Sequence, residues 1–380
     1  MCKQWENGII LREEKRREEK RREEKRREEK RRESNIELLR IIAMLMIIAY
    51  HYVGHGQMNL VKSMADYDRI FLECFQIFGK IGVNLYVLIS GFYGVRGKFS
   101  WKKTAKLERQ ILFFSWLGII VGLISNRSMA KRELLSMLFP TVGNIYWFAT
   151  AYMILYFLSP WYNKLLMSLD KKEYQKLLLT MTVIWSVIPC LTLRTYDGMN
   201  VNQQIWMFVM YAYGGYIYRF NWKIENSKGL LCIGIVGLYG TVFLTEIFAR
   251  KFPGIQGLAT YFGWSNTVLA VPISLLLFNI FRMASIKYNA IINFIGAASF
   301  STYLFHENPI ISSLLWQHIC LKLSGAKLIT YSFLVVFTVY VMGSILHIAF
   351  EIVDCFERKC LNKLLGRDVI INWLHRIINH

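Results

Sequence analysis

The chain has 380 residues, 54% of them hydrophobic, with a mean hydropathy of +0.30 and a formal net charge of +20. Weakly charged runs of roughly 17 or more residues recur, each long enough as a helix to cross a ~30 Å hydrocarbon core, which excludes an ordinary soluble enzyme. The basic excess is read as loops held at one membrane face, not as a surface for nucleic acid.

Residues 12–31 repeat the pentad REEKR four times. The period places no apolar stripe on any face. Pairs such as Glu13 and Arg17 stand at i,i+4 and support only a solvated helix or a disordered, low-complexity tail over residues 1–33. No short apolar segment with a small-residue cleavage site precedes the first span, which is read as a retained anchor. At Ser34 the run SNIE fits a capping box, the Ser34 hydroxyl accepting from the Glu37 amide and Glu37 reaching back.

Apolar stretches follow near 36–54, 70–95, 110–125, 144–160, 177–193, 203–220, 229–249, 264–281, 290–306 and 328–353. With only helices and closed barrels able to satisfy the backbone in lipid, the expected fold is all-α. It is a polytopic integral-membrane bundle of about ten transmembrane helices over residues 34–355. The loops after the even-numbered spans hold more Lys and Arg than the opposite set, the segment Arg96–Arg109 above all, which sets both termini on the cytoplasmic side. Arg127, Lys131 and Arg132 oppose that assignment. Residues 356–380 mix Lys and Arg with Leu, Ile and Trp and read as a basic amphipathic tail on the cytoplasmic face. The seven cysteines have no C-x-x-C spacing, so neither a disulfide framework nor a metal site is expected.

The first span, LLRIIAMLMIIAYHY, carries Arg40 and His51 eleven positions apart. At ~100° and ~1.5 Å per residue the two share one helix face, about 16 Å apart along the axis. Arg40 alone reads equally as a snorkelling anchor, and His51 as a hydrogen-bonded interior histidine. Stacked on one face they point to a single extended substrate, anionic at the Arg40 end and reactive at the His51 end. An acyl-coenzyme A fits, with phosphates for the guanidinium fork and a thioester for a histidine base.

Four segments, in order, resemble the membrane acyltransferase-3 family of bacterial O-acyltransferases. They are Arg-x10-His within SNIELLRIIAMLMIIAYHY; GVNLYVLISGFYGV at 82–95; IYWFATAYMILYFLSPWYNKL at 145–165; and ASFSTYLFHENPII at 298–311, with its Ser-x-Tyr-Leu-x-His pattern. The resemblance implies about ten spans in a bacterial plasma (inner) membrane. It implies transfer of an acyl group, usually acetyl, from acetyl-coenzyme A as co-substrate to a hydroxyl of a cell-envelope polysaccharide, glycolipid or related carbohydrate, without a metal. By position it makes Arg40 and His51 the functional pair and His306 the later motif histidine. The REEKR repeat is foreign to the family pattern.

Other intramembrane polar groups carry less. Lys80 and Asn84, four apart in the second span, read either as lining the donor's path or, for Lys80, as a snorkelling side chain. Trp147 and Tyr152 read as interfacial belt residues in preference to stacking platforms. Glu246 reads as the partner of Arg250 at i+4. His55, His318 and His347 read as structural. The rival reading is a transporter or flippase of a polar or lipid-linked substrate, which would show related, interrupted spans in two halves; no such internal similarity is evident.

Overall fold

The computed structural model describes residues 33–57, 60, 66–192, 201–249, 251, 252, 255 and 258–365. The REEKR repeat, Arg250 and the end of the basic tail lie outside the described residues. Among the described residues there is no strand. The helices are α1 (Ser34–Tyr52, prolonged by a π turn, Val53–Gln57), α2 (Asp66–Gln76), α3 (Gly79–Gly94), α4 (Trp101–Ile124), α5 (Lys131–Leu138), α6 (Trp147–Ser168), α7 (Lys171–Thr182), α8 (Ile188–Thr192), α9 (Val201–Phe220), α10 (Ser227–Ala249), α11 (Ala270–Met283), α12 (Ala290–His306), α13 (Pro309–Ile319) and α14 (Gly325–Leu365).

A helix stands on each stretch read as a span. Among the described residues, six are long and apolar enough to cross a membrane: Ser34–Gln57, Tyr67–Gly94, Trp101–Ile124, Lys171–Leu191, Ser227–Ala249 and Gly325–Arg358. Ala270–Met283 and Ala290–His306 are apolar but shorter.

The site is positioned by three helices. α3 runs antiparallel to α1. Gly79 packs on Tyr50 and Gly82 on Ala43 and Ile47; the Tyr86 hydroxyl donates to the Arg40 carbonyl at 2.8 Å, and the Tyr93 hydroxyl to Glu33 at 3.0 Å. A Cβ on Gly82 would stand 2.5 Å from the Ala43 oxygen, so the glycine permits the close approach. α12 runs parallel to α1, with Asn293 beside Ser34, Gly296 against Glu37, and His306 beside His51.

Ser34 opens α1 as expected, but not through a capping box. Its hydroxyl donates to Asn293 Oδ1 at 3.0 Å and accepts from the Asn289 amide at 2.8 Å, and the N-cap position is Glu33, which makes no side-chain cap bond. The tertiary partner takes the oxygen that the local motif would have used. Within α6, Pro160 has no N–H for the Tyr156 carbonyl; the Ser159 hydroxyl donates to that carbonyl at 2.7 Å instead, which gives the Leu-Ser-Pro run a physical reason. Glu246 pairs with Arg69 of α2 at 2.8 Å, joining two helices; Arg250, the helical neighbour the spacing suggested, lies outside the described residues. The basic tail begins as a continuation of α14 to Leu365, held to α4 by Lys106–Glu351 at 2.6 Å and Arg109–Asp354 at 2.6 Å.

Candidate active site

Arg40 and His51 line one cavity of about 360 Å³, as their shared face required. Arg40 is three-quarters buried and bonds Glu37 Oε1 through Nη1 at 2.8 Å. Gly296 makes room for that carboxylate: a Cβ there would lie 2.5 Å from Glu37 Oε2. The end of α3 lies beside the start of α1, and α4 begins a few residues later, so Lys103 and Lys106 enter the cavity wall at the Arg40 end. Three basic side chains therefore gather there, with Lys106 tied to Glu351.

The far end is built from aromatic and histidine side chains. Lys80 Nζ lies 5.0, 5.2 and 5.8 Å from the ring centroids of Tyr50, Trp147 and Trp264, an ammonium held against three π faces. Trp147 and Tyr152 both line the cavity, so they are wall residues and not a lipid-facing belt. Asn84 is not brought there. Its amide donates to the Ser265 carbonyl at 2.7 Å and Ser274 Oγ at 3.2 Å, and its oxygen accepts from Trp206 Nε1 at 3.0 Å.

His51 and His306 meet. His51 Nδ1 stands 3.0 Å from His306 Nε2 and 3.2 Å from Glu307 Oε1. The partners fix the tautomers. His306 Nδ1 donates to the Thr302 carbonyl at 2.6 Å, because a carbonyl can only accept. With one proton per ring, His306 Nε2 is then an acceptor, and so is the Glu307 carboxylate. His51 Nδ1 must carry the donated proton, which leaves the lone pair on His51 Nε2. A buried imidazole oriented through Nδ1 with Nε2 unprotonated is the arrangement of a general base.

His55, four residues beyond His51, donates from Nε2 to the same Glu307 oxygen at 3.1 Å. Glu307 is held in place by the next turn of sequence. Asn308 caps α13, its Oδ1 accepting from the Ile310 and Ile311 amides at 3.1 and 3.2 Å, and Pro309 takes the first helical position. His347 bonds Ser301 at 2.9 Å in the cavity wall. His318 donates to the Leu314 carbonyl at 2.7 Å, outside the site. Reading the sequence missed Glu307 and His55. The signals were present: His55 repeats His51 at i+4, and Glu307 directly follows the motif histidine.

No match is found among curated proteins or among solved structures. A family model described as an acyltransferase domain matches residues 33–347, which contain Arg40, His51, Lys80, Lys103, Lys106, His306 and Glu307. The four sequence segments, the apolar helices and the family match agree: the chain belongs to acyltransferase family 3, a family of membrane acyltransferases.

Proposed function

We propose that the protein is an acyl-coenzyme A-dependent O-acyltransferase of a bacterial plasma membrane, transferring an acyl group, acetyl in the simplest case, to a hydroxyl of a cell-envelope polysaccharide, glycolipid or related sugar. The observation that carries the reading is one cavity with Arg40, Lys103 and Lys106 at one end and an oriented His51 at the other. The donor's phosphates sit at the basic end, and the pantetheine arm brings the thioester to His51. His51 Nε2 takes the proton of the acceptor hydroxyl as its oxygen attacks the thioester carbonyl. The C–S bond breaks, and the proton passes from His51 to the departing thiolate. Glu307 and His306 hold the imidazole and stabilise its transient charge. Lys80, already fixed by its aromatic neighbours, adds positive charge near the developing oxyanion. Ten crossings with both termini cytoplasmic put Arg40 toward the cytosolic donor pool.

The test is transfer from labelled acetyl-coenzyme A in liposomes carrying the purified protein. His51→Ala is expected to lower the rate by ~10²-fold or more, with insertion and coenzyme A affinity retained. Near-normal turnover in that variant removes His51 as the base. Substrate movement without any acyl transfer would favour the transporter reading.

A further inference from the structure

The histidine cluster holds one imidazole that the transfer step does not use. His55 stands four residues after His51, on the π turn Val53–Gln57 that prolongs α1, and the two ring centroids are 5.2 Å apart. Such π insertions are frequent at functional sites. His51 Nδ1 is 3.2 Å and His55 Nε2 3.1 Å from the same oxygen, Glu307 Oε1. The three ligating atoms all lie within 4.8 Å of one another. A tetrahedral zinc ion with bonds of about 2.1 Å holds neighbouring ligand atoms about 3.4 Å apart. Both N···O pairs already stand close to one edge of that polyhedron. Two histidines at i,i+4 with one carboxylate are a donor set for zinc. The cysteine spacing that spoke against a metal site does not bear on them. His55 and Glu307 also line a second cavity, of about 590 Å³, and His55 is half exposed, which gives an ion a way in.

We infer that His51, His55 and Glu307 form a regulatory zinc site, and that an ion bound there switches off the base. The switch, though not the binding, rests on the acyltransferase reading above. Its chemistry lies in the tautomer of His51. A metal on Nδ1 displaces the proton that Nδ1 carries. That proton moves through water to Nε2, and the ring stays neutral. Nε2 is then an N–H donor, with no lone pair to take the proton of an acceptor hydroxyl. His55 moves its proton from Nε2 to Nδ1 in the same way, and Glu307 supplies one negative charge to the ion. The metal therefore acts as an inhibitor and not as a reagent. Nitrogen donors select Zn²⁺ over Mg²⁺ and Ca²⁺, which take oxygen ligands. A cell-envelope enzyme with such a site would be sensitive to free zinc reaching the second cavity.

The experiment uses the full-length protein with its cysteines replaced by serine, because Cys320 lines the same cavity. Co²⁺ serves as a spectroscopic stand-in for zinc. The visible absorption of tetrahedral Co²⁺ is expected at one ion per chain, displaced by Zn²⁺ and not by Mg²⁺. His55→Gln and Glu307→Gln are each expected to weaken Zn²⁺ binding at least tenfold, a loss that outer-shell changes alone can cause. His318→Gln, outside the cluster, is expected to keep it. His55 is half exposed, so its substitution leaves the core packing in place. In liposomes with labelled acetyl-coenzyme A, saturating Zn²⁺ is expected to lower transfer at least tenfold, and a chelator to restore it. In His55→Gln the same fractional inhibition, measured against that variant's own zinc-free rate, is expected only at tenfold more zinc or beyond. No cobalt absorption with the three ligands intact, or absorption retained in both variants, overturns the site. Zinc bound through these ligands while transfer is unchanged or raised overturns the switch. Zinc-free protein that binds coenzyme A yet transfers nothing overturns the acyltransferase reading, and the cobalt titration then decides the site by itself.

Discussion

Arg40 meets Glu37 through Nη1, and the guanidinium remains a wall of the cavity. A planar fork can contact a phosphate bidentately where an ammonium cannot. Arg40→Ala is therefore expected to weaken coenzyme A binding by at least tenfold, and Arg40→Lys to recover only part of it, in a binding isotherm. Affinity unchanged in both variants would make Arg40 a membrane anchor. Arg40 and His51 were legible because helix periodicity alone puts them on one face. Glu307 had a signal in its place directly after the motif histidine, but its role exists only where the end of α12 meets the end of α1 and His55 arrives from the turn beyond. Asn84 misled for a related reason. Its i,i+4 relation to Lys80 is a true helical relation, yet the amide faces Ser265, Ser274 and Trp206, contacts from distant parts of the chain.

Helix approach in this bundle depends on where a side chain is missing. Gly296 lies against Glu37, whereas a Cβ on Gly237 of α10 would meet nothing within 4 Å. Gly296→Leu is expected to push α12 from α1 and cost about 1–3 kcal/mol by overpacking. It should also lower coenzyme A affinity through the displaced Glu37–Arg40 pair. Gly237→Leu should do neither. Thermal unfolding in detergent, with and without coenzyme A, measures both effects. Equal destabilisation by the two variants would contradict the packing described for α12. At this scale apolar run length located the helices well, since a span needs only composition and length. The cap at Ser34 and the belt reading of Trp147 failed because each has a stronger long-range partner: α12 for the serine, Lys80 for the indole.

The molecule as a whole joins a basic chamber entrance to a histidine cluster that separates two cavities. The REEKR repeat has no apolar face to contribute to either. Deleting residues 2–32 is expected to leave insertion and transfer intact, with Glu33 kept because it accepts from Tyr93. Loss of transfer in a truncation that inserts normally would assign the repeat a function. The orientation rests on the distribution of Lys and Arg, and the most direct measurement combines it with the chemistry. Protein lacking its native cysteines and carrying Lys102→Cys is reconstituted in liposomes, and an impermeant thiol reagent reports which face bears position 102, exposed beside Lys103. Acetyl-coenzyme A is then supplied to one face at a time. Acetyl transfer is expected only with donor on the face that bears position 102, and is expected to be lost in His51→Ala. Transfer sustained from the opposite face alone would place the donor at the wrong end of the cavity and contradict the Arg40-to-His51 mechanism.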